Sequence, residues 1–347
     1  MSRTADAKPC CHGSKPRLPF GMALKHLVYA ATMAAAAVAA APAGAASSYK
    51  GAIAMDAQTG AVLFEENADS VTPPASMTKL MTFAVLFDQL MDRSIEMDTP
   101  VTVTPEAARV GMMKDSTAVW LRQGEVFTVE ELIYAMMIQS ANDAAYALAQ
   151  KTGGTAPAFV ALMNAKARSL GMFHSTFRTP NGFPPPSRRI ADGDLTTPRD
   201  FAVLCRYLLL HTNILKYTSV RTRTFGAGVR LKPVQMINHN RLLGKVAGVD
   251  GLKTGFTNGA GFCISATALR GDRRVIVVMM DSPDQNTRDL HVQGLISQAF
   301  ESLPLAGKAF EPVQDALPNP TRPTPPAQPS PTPANGPMIV YPGAGAR

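Results

Sequence analysis

The apolar positions of this chain change period several times, and each change marks an element. From 49 to 57 they alternate in part, with Tyr49, Ala52 and Ala54 among them, and 61–65 repeats the pattern. Asp56 to Gly60 supplies turn residues between the two runs, so 49–65 is predicted to be a hairpin. A loop over 67–75 gives way to helical spacing at Leu80, Met81, Phe83, Ala84, Val85, Leu86 and Phe87, continuing to about Asp92. Short strands are predicted at 101–104 and 118–121, around a short helix start at 105–108 and a loop at 111–116. Thr128 and Glu131 have the spacing of a capping box for a helix over 129–138 that stops at Gln139-Ser140. Further helices are predicted over 142–151, over 156–169 with Gly171 closing it, and from Thr197-Pro198 to Leu210. Between the last two, 173–189 is loop-rich, with Asn181-Gly182 and three prolines at 184–186. A small hairpin (222–225 with 229–231) and a loop at 238–244 lead to a strand from Val249. Apolar strands at 263–269 and 274–280 follow, joined by Arg270-Gly271-Asp272-Arg273, and a helix over 286–303 closes the pattern.

Strands thus lie at both ends of the patterned region with helices between them. This predicts an α+β class: one antiparallel sheet built from both ends of the chain, with a mainly helical insertion. No repeat at solenoid periods is present. After about Leu305 the composition changes, and nine prolines fall between Pro318 and Pro337. Such a segment has too few apolar residues for a core and is expected to be extended or disordered. The chain of 347 residues therefore divides into 1–46, a folded region over 47–304, and a tail over 305–347.

The first of these segments reads as a secretory signal peptide. Its basic groups (Arg3, Lys8, Lys15, Arg17 and Lys25) come first, an alanine-rich apolar run follows from Leu27 to Ala41, and Ala43-Gly44-Ala45 offers a small-x-small cleavage site. Cleavage near Ala45/Ala46 would give an exported protein, periplasmic or secreted. The run is too short and too rich in alanine to favour a membrane span. The formal charge is +8, and half of the excess sits in this leader, where five basic groups face the single acid Asp6. The remainder is scattered, which argues against nucleic-acid binding. Cys10 and Cys11 lie in the leader; Cys205 and Cys263 remain, and in an oxidising compartment they are either a pair or two buried thiols.

Three short motifs carry the candidate chemistry. Pro73-Pro74-Ala75-Ser76-Met77-Thr78-Lys79 places a serine at or near a helix N-terminus, where free N–H groups favour negative charge. Lys79 is three residues on, so its amine shares a helix face with the Ser76 hydroxyl: a nucleophile beside a candidate base. Taken alone, the pair reads equally as an N-cap serine and a solvated lysine. The second motif is Ser140-Ala141-Asn142, at a helix junction, and the third is Lys253-Thr254-Gly255, on a predicted strand. Each is weak by itself, but their order and spacing behind a secretory leader make a strong combination. No metal site is predicted, since neither His-Glu-x-x-His nor His-x-His occurs, and no cofactor is called for. A Gly-x-Ser-x-Gly elbow and a phosphate loop are absent as well.

Over about residues 48–303 the chain resembles the penicillin-binding serine D-alanyl-D-alanine carboxypeptidases (peptidase family S11), the low-molecular-weight branch of the penicillin-binding proteins and serine β-lactamases. The resemblance rests on the Ser76–Lys79 motif and on Gln139-Ser140-Ala141-Asn142-Asp143-Ala144-Ala145. It rests too on Asn238-His239-Asn240-Arg241-Leu242-Leu243-Gly244 and on Val249-Asp250-Gly251-Leu252-Lys253-Thr254-Gly255-Phe256-Thr257. It implies a β-lactamase/transpeptidase-like fold with a five-stranded antiparallel sheet. It also implies removal of the terminal D-alanine from peptidoglycan stem pentapeptides through an acyl-enzyme on Ser76, with β-lactam antibiotics as covalent inhibitors. In that reading Lys79 is the general base, kept neutral by burial and by Lys253. Ser140 relays a proton to the leaving amine, and Asn142 orients Lys79 and the substrate amide. The Ser76 and Phe256 backbone N–H groups form an oxyanion hole, while Lys253, Thr254 and Gly255 line the substrate's carboxylate end. Arg288, near the start of the closing helix, is a further carboxylate ligand or a solvated arginine. His239 is expected to be structural.

Two departures from the family pattern bear on function. Such carboxypeptidases often carry a second, β-rich domain and a membrane-docking amphipathic helix; here about 50 residues separate Gly255 from the end of the folded region, followed by the proline-rich segment. Both features are expected to be missing, which puts membrane attachment in doubt. The layout also resembles the family's D-alanyl endopeptidases, which cut cross-links with the same residues. A β-lactamase and a non-catalytic cell-wall binding module are the remaining alternatives; no glutamate can be assigned to the β-lactamase deacylation role, and the intact catalytic set argues against the binding module.

Overall fold

The computed structural model describes residues 48–304 and 307–313. The leader over 1–46 and most of the proline-rich tail lie outside the described residues.

A five-stranded sheet organises the molecule. Its strands are β1 (Gly51–Asp56), β2 (Val62–Glu66), β7 (Val249–Thr257), β8 (Gly261–Arg270) and β9 (Arg273–Ser282), in the order β2-β1-β9-β8-β7. Every neighbouring pair is antiparallel. Both ends of the chain supply strands, as the hydrophobic pattern predicts. The run Val275–Met280 is apolar without alternation because both sheet faces are covered. Ile53, Met55, Ile276, Val278 and Met280 join one core; Ala52, Ala54, Val277 and Met279 join a second. These are the two period-2 sets of the same strands.

The helices between the sheet halves are α1 (Lys79–Met91), α2 (Pro105–Gly111), α3 (Val129–Ile138), α4 (Asn142–Gly153), α5 (Ala156–Ser169), α6 (Pro198–His211) and α7 (Leu215–Thr218). They build the first core. The closing helix α8 (Gln285–Ser302) covers the other face through Val292, Leu295, Ile296 and Ala299. Threonine starts four of the helices: Thr104, Thr128, Thr155 and Thr197 each accept the amide three residues on. Asp284 caps α8 by accepting from the amides of Asn286 and Thr287.

Two predicted strands are not formed. Residues 118–121 pair in no sheet, and Trp120 has φ of +53°, which a ladder strand does not adopt. Their amides are satisfied by a side chain instead: the buried Asp143 carboxylate accepts from Val119 and Leu121 at 3.4 and 2.9 Å. The strand nearby is β4 (Val126–Thr128), which pairs with β3 (Pro100–Thr102). In the small hairpin, β5 (Thr222–Phe225) pairs with β6 (Val234–Ile237), not with 229–231. The amides of Val229 and Arg230 both close a turn on the Gly226 carbonyl, and Arg230 reaches away to Glu125 and to the Val119 carbonyl. The alternation at 229–231 is therefore that of a loop.

Cys205 on α6 and Cys263 on β8 are both buried free thiols. Residues 307–313, which composition assigns to the tail, run against the folded region. The Phe310 amide donates to the Asp272 carbonyl at 2.6 Å, and its ring lies 5.0 Å from the Arg274 guanidinium. Among the described residues no helix is long and apolar enough to cross a membrane.

The Asp143 arrangement yields a stability test. Asp143→Ala would leave buried amides without acceptors, each worth ~1–3 kcal/mol. Urea denaturation should show a loss of about 2–4 kcal/mol; a loss below ~1 kcal/mol would mean that the 118–121 segment does not depend on this carboxylate.

Candidate active site

The site forms where α1 begins. A single 3-10 turn, Ala75–Thr78, precedes the helix, with Ala75 at φ +48°. Ser76 lies in this turn and Lys79 opens α1, so the two side chains share one face. The Lys79 amine donates to Ser76 Oγ at 2.9 Å, to Asn142 Oδ1 at 2.7 Å and to the Asn181 carbonyl at 2.7 Å. Lys79 is 0% exposed. Asn142 is held in turn: its amide nitrogen donates to Ser116 Oγ at 3.1 Å, and its backbone N–H to the Thr117 carbonyl at 2.8 Å.

Three distant segments are packed onto the turn so closely that two of them require glycine. A Cβ on Gly255 of β7 would lie 2.4 Å from the Pro74 carbonyl oxygen, and one on Gly182 would lie 1.9 Å from that of Ala75. Gly182 also has φ of +75°. The Lys253-Thr254-Gly255 motif and the Asn181-Gly182 turn thus sit against the serine from two sides. The third segment is the loop around Asp194. This buried carboxylate accepts from Thr78 Oγ1 beside the serine turn at 2.8 Å, from Thr179 Oγ1 at 2.9 Å, and from the amides of Arg178 and Thr179. It thereby ties the 179–182 turn to the start of α1.

Electrostatics follow from burial. Lys79 loses its proton far more readily than an ordinary lysine, first because it is buried and then because Lys253 is near. Lys253 is itself buried, and its pKa falls to about 7, by burial first and then by the Arg288 charge. Its amine donates to the Thr254 carbonyl at 3.0 Å. His239 is lowered to about 4 by burial, Lys253 and Lys79, so it stays neutral beside the two lysines.

A neutral amine has two N–H groups and one lone pair. The carbonyls of Asn142 and Asn181 can only accept, so they take the two N–H groups. The lone pair is left for the hydroxyl of Ser76, the one partner of the three that can donate. In the neutral state the geometry therefore points the Ser76 proton at Lys79.

Of the residues singled out in the sequence, Ser76, Lys79 and Asn142 are in direct contact, and Lys253 and Gly255 adjoin them. Ser140, between α3 and α4, has φ of +60° and a buried hydroxyl without a hydrogen-bond partner among the described residues. Such a group is uncommon in folded proteins and is one available to a reacting molecule. Thr254 is buried; Phe256 is half exposed and stacks on Phe262 at 4.2 Å. Arg288 is buried, not solvated. Its guanidinium binds Asp289 through Nε at 2.9 Å and approaches the Cys263 carbonyl at 3.4 Å. The motifs do not point to the Asn181 carbonyl, Ser116 or Asp194. Asn181-Gly182 is visible in the sequence as a turn signal, but nothing in the sequence says that this turn faces Ser76, and Asp194 has no local signal. No group of histidine, cysteine and carboxylate residues suited to a metal occurs among the described residues.

The family model described as D-alanyl-D-alanine carboxypeptidase (Peptidase S11) matches residues 28–284. The D-alanyl-D-alanine carboxypeptidase DacC of Escherichia coli is 35% identical over 251 residues, covering 72% of this chain and 60% of that protein. DacF of Bacillus subtilis is 32% identical over 251 residues, covering 72% and 62%. The chain thus spans about three fifths of the length of these curated relatives. Among solved structures, penicillin-binding protein D2 of Listeria monocytogenes in its ampicillin-bound form is similar with a TM-score of 0.63 and 31% identity, covering 73% of this chain and 97% of that one. The D-alanyl-D-alanine carboxypeptidase DacD of Francisella tularensis gives a TM-score of 0.66 at 26% identity, covering 75% and 72%. With its serine, its two lysines and its sheet arranged in this way, the chain belongs to peptidase family S11, the D-alanyl-D-alanine carboxypeptidase family.

Proposed function

We propose that the protein is a serine D-alanyl-D-alanine carboxypeptidase that removes the terminal D-alanine from peptidoglycan stem pentapeptides, and that β-lactams acylate the same serine. The observation that carries this reading is the buried Lys79 amine, 2.9 Å from Ser76 Oγ, with both of its other contacts occupied by carbonyls. Ser76 Oγ attacks the carbonyl between the two D-alanines while Lys79 takes its proton. The oxyanion is met by the backbone N–H groups of Ser76 and Phe256; loss of one such donor costs ~10²–10³ in rate. The unpartnered Ser140 hydroxyl passes a proton to the leaving D-alanine amine. Water then hydrolyses the acyl-enzyme and frees Ser76.

Lys253 and Thr254 hold the terminal carboxylate. The Arg288 guanidinium is already engaged by Asp289, so its larger part is to act on Lys253 through its charge. The relatives named above are carboxypeptidases, and one neighbouring structure is an ampicillin complex; both support the substrate class and the penicillin binding. The leader pattern over 1–46 supports export, with cleavage near Ala45/Ala46 and a catalytic domain over 47–304.

The first test is covalent labelling with fluorescent penicillin. Wild type should be labelled, Ser76→Ala should not, and folded Lys79→Ala should react at least ~10²-fold more slowly, the usual scale of a lost general base. Labelling of Lys79→Ala at the wild-type rate would remove Lys79 from the mechanism. On purified muropeptides the expected product is free D-alanine; split dimers without it would make the protein an endopeptidase.

The pH dependence gives a second test. Lys253 binds a carboxylate best while charged, and its pKa of about 7 means that this charge is lost as pH rises through that value. Acylation by a carboxylate-bearing penicillin should therefore fall on the alkaline side. Arg288→Met removes one cause of the lowering, so Lys253 keeps its proton to higher pH and the alkaline limb moves up. A limb that stays in place or moves down contradicts the assignment.

A further inference from the structure

Arg288 lies near the start of α8, and its side chain is 2% exposed. Residues one apart on a helix point in different directions, so an arginine and the aspartate after it do not meet by default. Here they meet closely. Arg288 curls back so that Nε and Nη2 both donate to Asp289 Oδ1, at 2.9 and 2.5 Å. The third nitrogen, Nη1, donates to the Cys263 carbonyl at 3.4 Å. Cys263 is the ladder partner of Gly255, so the guanidinium sits at β8 opposite the Lys253-Thr254-Gly255 motif. The other oxygen of Asp289 faces Arg241 of the 238–244 loop at 3.6 Å, and Arg241 is fixed in turn on Asn286 Oδ1 at 2.9 Å. One carboxylate thus holds two arginines from two segments.

Lys253 is placed differently. A charged lysine has three N–H donors, and among the described residues its amine makes one hydrogen bond, to the Thr254 carbonyl. Its other donors are open to a substrate carboxylate, whereas each nitrogen of Arg288 already has a protein partner. The charged groups around the pair are few. Lys253 is faced by Lys79 of α1, by His239 of the 238–244 loop and by Arg288. Arg288 is faced by Asp289, by the Cys263 thiol and by Asp281 of β9, whose amide donates to that thiol. His239, lowered to about 4, and Cys263, raised to about 12, do not titrate near neutrality, which leaves the two lysines. Loss of the Lys79 proton helps acylation, so a fall in activity toward alkaline pH comes from Lys253.

We propose that Asp289 is a positioning residue: it keeps Arg288 off the substrate's terminal carboxylate and leaves that contact to Lys253. This rests on the carboxypeptidase reading above. A buried guanidinium deprived of its carboxylate needs another, and the terminal carboxylate bound along the same motif is the one at hand. Arginine does not lose its charge. Releasing Arg288 therefore frees carboxylate binding from the protonation of Lys253, and Asp289 is what makes the enzyme sensitive to alkaline pH.

The test uses a tripeptide ending in D-Ala-D-Ala with its amines acetylated, so that the terminal carboxylate is its only charge. The readout is kcat/KM against pH, which reports the ionisations of the free enzyme. In wild type it should fall on the order of tenfold between about pH 7 and 9, as Lys253 loses its charge. Asp289→Ala should lose most of that fall, and Asp289→Glu should keep it. Asp289→Ala combined with Arg288→Met should show the fall again, because Lys253 is once more the only cation for the carboxylate. Were Asp289 only a nearby negative charge, its removal would lower the Lys253 pKa further and move the fall to lower pH. Were it only structural, Asp289→Ala would lower kcat/KM alike at every pH. Either result, a wild type without an alkaline fall, or a fall still missing in the double variant overturns the proposal. Asp289→Asn, which keeps the shape and one acceptor oxygen, is read in the same way if Asp289→Ala does not fold. Failure of wild type to release D-alanine from the peptide would instead overturn the carboxypeptidase reading.

Discussion

Everything at this site depends on one amine being kept from water. Lys79 is surrounded by a serine hydroxyl and two carbonyl oxygens, with no carboxylate of the described residues in direct contact. Burial without a bonded counter-ion favours the neutral form of a lysine, and a second buried lysine reinforces it. Asp194 and Asp143 pull the other way through their charge, but each is occupied by its own ring of N–H and hydroxyl donors. The carboxylates therefore organise the backbone around Lys79 without bonding to it. Had either reached the amine, Lys79 would be an ion-paired ammonium with no lone pair to offer.

Holding that arrangement requires segments far apart in sequence to meet at ångström tolerance. Strand β7, the 179–182 turn and the α3–α4 junction each deliver one part. Gly255 and Gly182 allow the first two to touch the serine turn, and the left-handed backbone at Ser140 ends one helix and lets the next start at Asn142. The sheet makes this possible because its edge strand β7 is tied through β8 and β9 to β1, near the start of the described chain. The site is thus rigid at its centre.

Much of this is legible in the sequence, for identifiable reasons. The central strands and the helices carry strong periodicity, and their caps are side chains that sequence shows directly, as at Thr128 and Thr197. The contacting side chains Ser76, Lys79 and Asn142 are visible as motifs. What sequence does not show is tertiary. The Asn181 carbonyl is a backbone group and leaves no trace in residue identity. Asp194 acts through four donors that no local pattern links to it. Arg288 reads as either a carboxylate ligand or a solvated helix arginine, and only the fold shows it buried against β8. The two failed strands share one cause: the short apolar runs at 118–121 and 229–231 are satisfied by a carboxylate and by glycine turns, which substitute for a ladder.

The protonation state of Lys79 can be observed directly. In protein carrying ¹³C-labelled lysine, the Cε chemical shift of Lys79, assigned by its loss in Lys79→Met, reports whether the amine is neutral. The predicted result is a Lys79 amine that becomes neutral well below about pH 10.4, the ordinary midpoint of a lysine. An ammonium that persists at Lys79 up to that pH would contradict the role of Lys79 as the base that activates Ser76.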